Sequence, residues 1–391
     1  YGTGKFWKHP VPSPSAISHI ERPYSRYGFS MEVFEQELRK APSPSAVLVT
    51  SLMTYWYPGV RETIQAVKSY HPDVPVLLGG LYARLCYDHA LRTSGADRIL
   101  VDRHPEKIPD ALSSLGVPSP KPPSNPVHHP YPAFDLLTQT DYVCLQSSTG
   151  CPYRCRYCAS SFLNPDRSRR LAKDVLEEIL YWNREFGVRD FAFYDDALLA
   201  RPDDRLMRLL RGLSGLNTAL RFHTPNGVHA KEISAEMASL LYRSGFQTIR
   251  LGLERSDFPS RGGLDRKLAE GEFEEAANNL LKAGYRPDQV GAYILIGLPG
   301  QPIDSVIETI GLVEAVGVSP YLAEYSPIPH TSLWENARAN SRYDIASEPL
   351  FQNNTLIPCW GESECAQVPA LKARVSRIRR RLKEGFAQPH F

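Results

Sequence analysis

Apolar residues follow two rhythms along this chain: short unbroken runs, and longer stretches with a period near 3.6. Ala46–Ser51 and Val74–Gly80 are short runs rich in Val and Leu, as expected of strands buried on both faces of a parallel sheet. Between them, Pro58–Tyr70 sets Val60, Ile64 and Val67 on one helical face, and Pro58 suits a first helical turn. Tyr82–Ser94 is predicted as a second helix stopped at Gly95, and Arg98–Val101 as a third short strand. This βαβαβ order implies a parallel, doubly wound sheet with right-handed crossovers.

The alternation breaks at Val117–Pro132, which holds seven prolines. Proline lacks an N–H and restricts its neighbour, so this stretch is expected to be a linker. The alternation then resumes. Predicted strands are Tyr142–Ser147, Asp190–Tyr194, Leu220–His223, Thr248–Leu253, Val290–Gly297 and Leu322–Tyr325. Predicted helices are Leu171–Phe186, Arg205–Leu213, Ser234–Ser244, Phe273–Ala283 and Ile303–Val316. Six βα repeats are too few for a closed eight-fold barrel but enough for an open, three-quarter one. In such folds the chemistry gathers at the carboxyl ends of the strands.

Composition narrows the function classes. With 391 residues, 42% apolar and 23% charged, the chain is a folded protein of two or three domains. A net charge of +2 gives no electrostatic case for a nucleic-acid or membrane-surface binder. No apolar run is long enough to span a bilayer, and the start lacks a signal-peptide pattern, so a cytoplasmic protein is expected. The first residue is Tyr1 rather than Met, which reads as a fragment or a processed product. Seven cysteines are too few for a disulfide scaffold and are odd in number.

Three of those cysteines crowd together. The first strand after the linker runs into Ser148-Thr149-Gly150-Cys151-Pro152-Tyr153-Arg154-Cys155-Arg156-Tyr157-Cys158, a C-x3-C-x2-C spacing. Thiolates this close can converge from one loop on an iron–sulfur centre, leaving one iron open for an outside ligand. A structural zinc site is the alternative; its fourth ligand would have to come from His128 or His129 in the linker. Cys144, on the preceding strand, is expected to point into the sheet. Cys86 reads as a core residue, and Cys359 and Cys365 as ordinary thiols.

Strand, cysteine loop, helix and five further βα units resemble the radical S-adenosylmethionine (SAM) superfamily, over about Tyr142 to Glu335. The resemblance implies that Cys151, Cys155 and Cys158 bind a [4Fe-4S] cluster whose open iron chelates SAM. Reduction would then yield methionine and a 5′-deoxyadenosyl radical. An aromatic residue before the third cysteine is usual in the family, and Tyr157 stands there. Strand ends carry the rest. Asp195-Asp196 resembles the family site that receives the SAM amino group, where a charge-assisted bond to an ammonium is strong; a helix N-cap is the alternative. Asn226-Gly227 resembles a stretch lining the barrel mouth, and equally suits a tight turn. Glu254 resembles a contact to the SAM ribose or carboxylate end, with a solvated charge as the alternative. Gly297, in Ile296-Gly297-Leu298-Pro299-Gly300, resembles the place where backbone meets adenine. His330 stands where the family has Gly, and reads as a polar loop residue. Gln301 stands where the family has an acidic residue.

The region before the linker resembles the cobalamin-binding domain fused to one branch of that superfamily. The cobalt-ligating Asp-x-His-x-x-Gly is not found; Asp102-Arg103-His104-Pro105-Glu106-Lys107 is the nearest match and follows the wrong strand. A first strand and helix are missing ahead of Tyr1, so the sheet is expected to be truncated or degenerate, and cobalamin stays open. The expected organisation is a Rossmann-like cobalamin-type domain (1–116), a linker (117–137), a partial (βα)6 TIM-type barrel (138–340) and an extension (341–391). The extension ends in a basic amphipathic helix, Lys372–Lys383, that docks on the protein's own surface or binds an acidic partner or RNA. The resemblance implies an enzyme served by an electron donor such as flavodoxin or ferredoxin, with an unknown substrate and unknown catalytic side chains. Methyl transfer with cobalamin is one subclass; methylthio transfer is disfavoured because a second cysteine triplet is missing. A non-catalytic zinc- or RNA-binding protein is the rival.

Overall fold

A computed structural model describes residues 6–118, 131–216, 218–258 and 264–385. The linker prolines 119–130, with His128 and His129, lie outside the described residues, as does Tyr1.

Three parallel strands form the front sheet: β1 (Val47–Ser51), β2 (Val76–Gly79) and β3 (Arg98–Ile99), in that order. Helix α1 (Met31–Lys40) precedes β1, and α2 (Tyr57–Tyr70) buries Val60, Ile64 and Val67 as its periodicity predicts. The helix expected over Tyr82–Ser94 is two helices, α3 (Gly80–Leu85) and α4 (Tyr87–Thr93), broken at Cys86. Backbone bonds run on both sides of the break. Cys86 N–H donates to the Tyr82 carbonyl at 2.9 Å, and the Cys86 carbonyl accepts from Ala90 at 2.8 Å. The Tyr82 hydroxyl spans the gap, 2.7 Å from His89 Nδ1. Cys86 itself is half-buried against this core.

The second sheet has six parallel strands: β4 (Tyr142–Leu145), β5 (Asp190–Phe193), β6 (Arg221–His223), β7 (Phe246–Glu254), β8 (Val290–Ile296) and β9 (Ser319–Glu324). Each pairs with the next in sequence, so β4 and β9 are the edges of an open barrel. Helices α5 (Ala172–Phe186), α6 (Asp204–Ser214), α7 (Ala235–Arg243), α8 (Glu272–Lys282) and α9 (Ile303–Val316) cover its outer face. Burial alternates along β4: Val143 and Leu145 are buried under the helices, while Tyr142 and Cys144 lie half-buried on the opposite, concave face. Cys144 therefore faces the barrel interior and not the packed side. Under the helices, Phe193, Phe222 and Phe246 from three successive strands form an aromatic ladder. The Phe193–Phe222 centroids are 5.9 Å apart and the Phe222–Phe246 centroids 5.6 Å.

Helix α10 (Glu362–Glu384) packs on β9 and α9, so the basic tail docks on the protein's own surface. Lys372 pairs with Glu324 at 2.7 Å, Arg381 with Glu314 at 2.8 Å, and Arg379 stacks 4.2 Å from the centre of the Tyr321 ring. The segment before it, 343–357, was read only as part of an extension, yet it joins the two sheets. Leu350 is buried in the front core, Glu348 accepts from the Tyr57 hydroxyl at 3.1 Å, and the Gln352 carbonyl accepts from Ser326 at 2.6 Å.

Replacing Phe222 by Ala leaves a cavity at the centre of the ladder. It is expected to cost about 3–5 kcal/mol, read as a lower urea midpoint with an unchanged native far-ultraviolet circular dichroism spectrum.

Candidate active site at the barrel mouth

The cysteine loop leaves β4 and is held from behind by the end of β5. Asp195 is 2% exposed. One of its oxygens accepts from Ser147 Oγ at 2.7 Å and from the Ser148 hydroxyl; the other accepts from Ser147 N–H at 3.1 Å. Burial pushes this carboxyl above its ordinary range, even against the opposing hydrogen bonds from Ser148 and Ser147. Asp196 accepts from Gly150 N–H at 2.9 Å, Asn164 Nδ2 at 3.0 Å and Ser160 Oγ at 3.2 Å. In this structure the Asp-Asp pair expected to meet the SAM amino group anchors the cysteine loop. The N-cap alternative is not realised either, because α6 is capped by Asp203. Gly150 has φ +75°, and a Cβ there would sit 2.7 Å from the Asp166 carbonyl. The loop can take this path only with glycine.

All three cysteines are half-buried on this one loop. Cys158 N–H donates to the Cys155 carbonyl at 3.0 Å, and the Cys158 thiol lies 3.3 Å from Ser160 Oγ. Burial pushes the Cys155 thiol up to about 12 and raises Cys151 as well. Backbone bonds clasp the middle of the loop: Arg156 N–H donates to Leu264 and the Arg156 carbonyl accepts from Leu333, both at 2.9 Å. Among the described residues no three His, Cys, Asp or Glu side chains converge as a single metal ion requires. Three thiolates on one loop are a donor set that an iron–sulfur cluster with one open iron can take.

One residue at the mouth has no counterpart in the sequence reading. Lys267, 9% exposed, reaches Glu254 Oε1 at 2.6 Å and the Tyr157 hydroxyl at 2.9 Å. Glu254 ends β7 beyond a register shift and has φ +64°, a conformation that costs about 1–3 kcal/mol for a non-glycine residue. It is buried and ion-paired, so a solvated charge does not describe it here. Tyr157 lies against Lys267, and burial raises its hydroxyl well above the ordinary range. Lys267 carried no sequence signal because it stands in a polar stretch after the strand, outside any recognised motif.

The remaining expectations resolve individually. Asn226 is exposed and donates to the Asp195 carbonyl at 3.1 Å, so it sits at the mouth beside the loop anchor. Gly297 has φ +84°, and a Cβ there would lie 2.7 Å from Ile357 Cγ2. The close approach that demands glycine is made by the 343–357 segment, in the place expected for adenine. His330 has φ +67°, which explains a glycine preference at its position, and stacks on Phe162 at 4.2 Å. Buried Cys359 lies 3.7 Å from the Ala337 carbonyl, and Cys365 accepts from Arg342 at 3.5 Å.

Residues 145–313 match the Radical SAM superfamily, and this span contains the cysteine loop, the Asp pair and Glu254. Over that span the chain is similar to a radical SAM domain. A Synechocystis protein described as an uncharacterized methyltransferase is 23% identical over 325 residues, 80% of this chain and 59% of its own length. An uncharacterized methyltransferase of Pyrococcus horikoshii is 24% identical over 226 residues, 54% of this chain and 47% of its own. The chain thus spans about half the length of the curated relatives it matches. Among solved structures, the radical SAM methyltransferase TsrM from Kitasatospora setae superposes with a TM-score of 0.65 at 16% identity, over 80% of this chain and 69% of that one. The cobalamin-dependent SAM radical enzyme OxsB gives 0.57 at 12% identity, over 88% of this chain and 49% of that one. At such identities the likeness is one of fold.

The front sheet meets the radical SAM domain at the cysteine loop. Arg103 pairs with Asp166, and Arg84 donates to the Leu163 carbonyl. At the carboxyl ends of β1–β3 lies a cleft of about 340 Å³, lined by Leu48, Leu77, Leu100, Ile108, Gly79 and Gly80 among others. Its walls are mostly apolar, with Asp102, Arg103 and His104 at one side. His104 lines the cleft but is not offered to a metal: its Nε2 is 3.1 Å from Arg103 Nε and its Nδ1 3.3 Å from Glu106.

Replacing Asp196 by Ala removes an anchor shared by Gly150, Ser160 and Asn164. Limited proteolysis is expected to cut within 150–166 several-fold faster than in the parent chain, with the barrel's circular dichroism unchanged.

Proposed function

We propose that this chain is a radical SAM enzyme whose Cys151, Cys155 and Cys158 hold a [4Fe-4S] cluster, with SAM bound at the barrel mouth above them. The observation that carries this reading is the single anchored loop presenting three thiols at the carboxyl ends of the strands. When bound, the cluster and SAM supply the one-electron chemistry; the chain fixes the loop and walls the mouth from water. Tyr157 and Asn226 face that mouth and are the proposed cofactor neighbours, and the backbone near Gly297 borders it. Asp195 and Asp196 serve the site by positioning the loop, and Glu254 does so through Lys267. An outside reductant is required, for which a flavodoxin or ferredoxin in the cytoplasm is proposed. No helix among the described residues is long and apolar enough to cross a membrane.

A second, more specific reading is methyl transfer with cobalamin. The front cleft favours it, because Arg103, which lines that cleft, pairs with Asp166 in the segment that follows the cysteine loop. A planar cofactor seated at the strand ends would border the same mouth. The rival RNA-binding reading loses its main support, since Lys372, Arg379 and Arg381 are engaged by the protein itself.

Two variants separate these readings. Anaerobic reconstitution of the parent chain is expected to give a brown protein with iron and sulfide in equal amounts, and Cys155→Ala to lose most of both. A colourless parent chain holding one tightly bound zinc contradicts the proposal. For the cleft, a Cβ on Gly79 would meet only the Leu100 carbonyl, at 3.8 Å, so a longer side chain fits there without a backbone clash. Gly79→Leu is expected to abolish co-elution of hydroxocobalamin while keeping the iron. Equal cobalamin binding by parent and variant would remove the cleft from the account.

A further inference from the structure

The buried ammonium of Lys267 raises the question of why a charge is kept there at all. A buried ion pair adds little net stability, because desolvation offsets most of the Coulomb gain, and apolar residues of similar volume serve a core as well. Yet the surroundings are shaped around this one. Gly252 lies beneath the pair, and a Cβ on it would come within 3.1 Å of both Lys267 Nζ and Glu254 Oε1. Glu254 adopts its left-handed conformation at the point where it meets the ammonium. The same short segment clasps the cysteine loop by backbone, through the Leu264 carbonyl and Arg156 N–H at 2.9 Å. Asp265 Oδ1 accepts from Lys267 N–H at 3.2 Å and turns the segment inward. Three separate stretches of chain therefore meet at one nitrogen: the end of β7, the loop between the second and third cysteines, and the 264–268 segment.

We propose that Lys267 is a positioning residue for the cluster, clamping Tyr157 and Glu254 together so that the loop keeps its shape and a fixed positive charge stands against the stretch between Cys155 and Cys158. This rests on the reading that the three cysteines hold the cluster. The ammonium bonds the Tyr157 hydroxyl and Glu254, so it acts through Tyr157 and through its field. Reducing a cluster adds negative charge. A neighbouring ammonium favours the reduced form and a neighbouring carboxylate disfavours it. Lys267 and Glu254 therefore act on the cluster with opposite signs, each tempering the other.

The test is a redox titration of anaerobically reconstituted protein, followed by electron paramagnetic resonance, with iron content measured on every sample. Lys267→Met is expected to move the midpoint to more negative potential and to broaden the signal, while Lys267→Arg stays near the parent value. Glu254→Gln is expected to move it to more positive potential, because the ammonium is no longer neutralised. An iron-replete Lys267→Met with the parent midpoint and line shape overturns the inference. Should Lys267→Met fail to hold iron, Glu254→Gln decides: an unchanged midpoint there overturns it, and a positive shift supports it. Absence of iron–sulfur signal in the parent chain would instead defeat the cluster reading itself. A merely structural lysine predicts loss of folding stability without opposite redox shifts from its two ends.

Discussion

Two adjacent carboxylates at the end of one strand determine where the chemistry of this protein can happen. Asp195 and Asp196 leave β5 side by side and between them hold Ser147, Ser148, Gly150, Ser160 and Asn164. A buried carboxylate is costly unless its lone pairs are satisfied, so the loop must come to it. That demand converts eleven residues with little regular structure into a fixed shelf. Parallel pairing of β4 with β5 brings the two ends level, and the shelf sits at the mouth of the open barrel.

The mouth is completed by pieces remote in sequence. The 264–268 segment grips the shelf from one side through Leu264 and Lys267. The 343–357 segment packs Ile357 onto Gly297 and carries Leu350 into the front core, so one strap locks both sheets. Arg84 and Arg103 reach from the front sheet to the far end of the cysteine loop. Each contact would be a surface detail alone; together they fix the front sheet against the barrel.

Much of the frame was legible in the sequence. Six strands and five helices of the barrel stand within a few residues of their expected positions, because parallel strands buried on both faces read as apolar runs and amphipathic helices as 3.6-residue periods. The cysteine loop was legible through its spacing. What escaped was the direction of side chains. Asp195, Asp196 and Glu254 were expected to face a ligand because carboxylates at strand ends suit an ammonium. Each has partners in its own chain, and neither spacing nor periodicity encodes which. Lys267 stayed hidden for the same reason, since a buried ion pair depends on a bulge in β7 that no local pattern announces. The break at Cys86 and the strap at 343–357 are tertiary outcomes too; they depend on contacts between residues more than two hundred positions apart.

The central claim is that the anchored loop presents a cluster with one iron open to SAM. It is tested most directly by electron paramagnetic resonance of the reduced, reconstituted chain, recorded with and without SAM. The account predicts a reduced-cluster signal whose g-values move when SAM is added. A cluster signal indifferent to SAM, at concentrations that saturate binding, would contradict it.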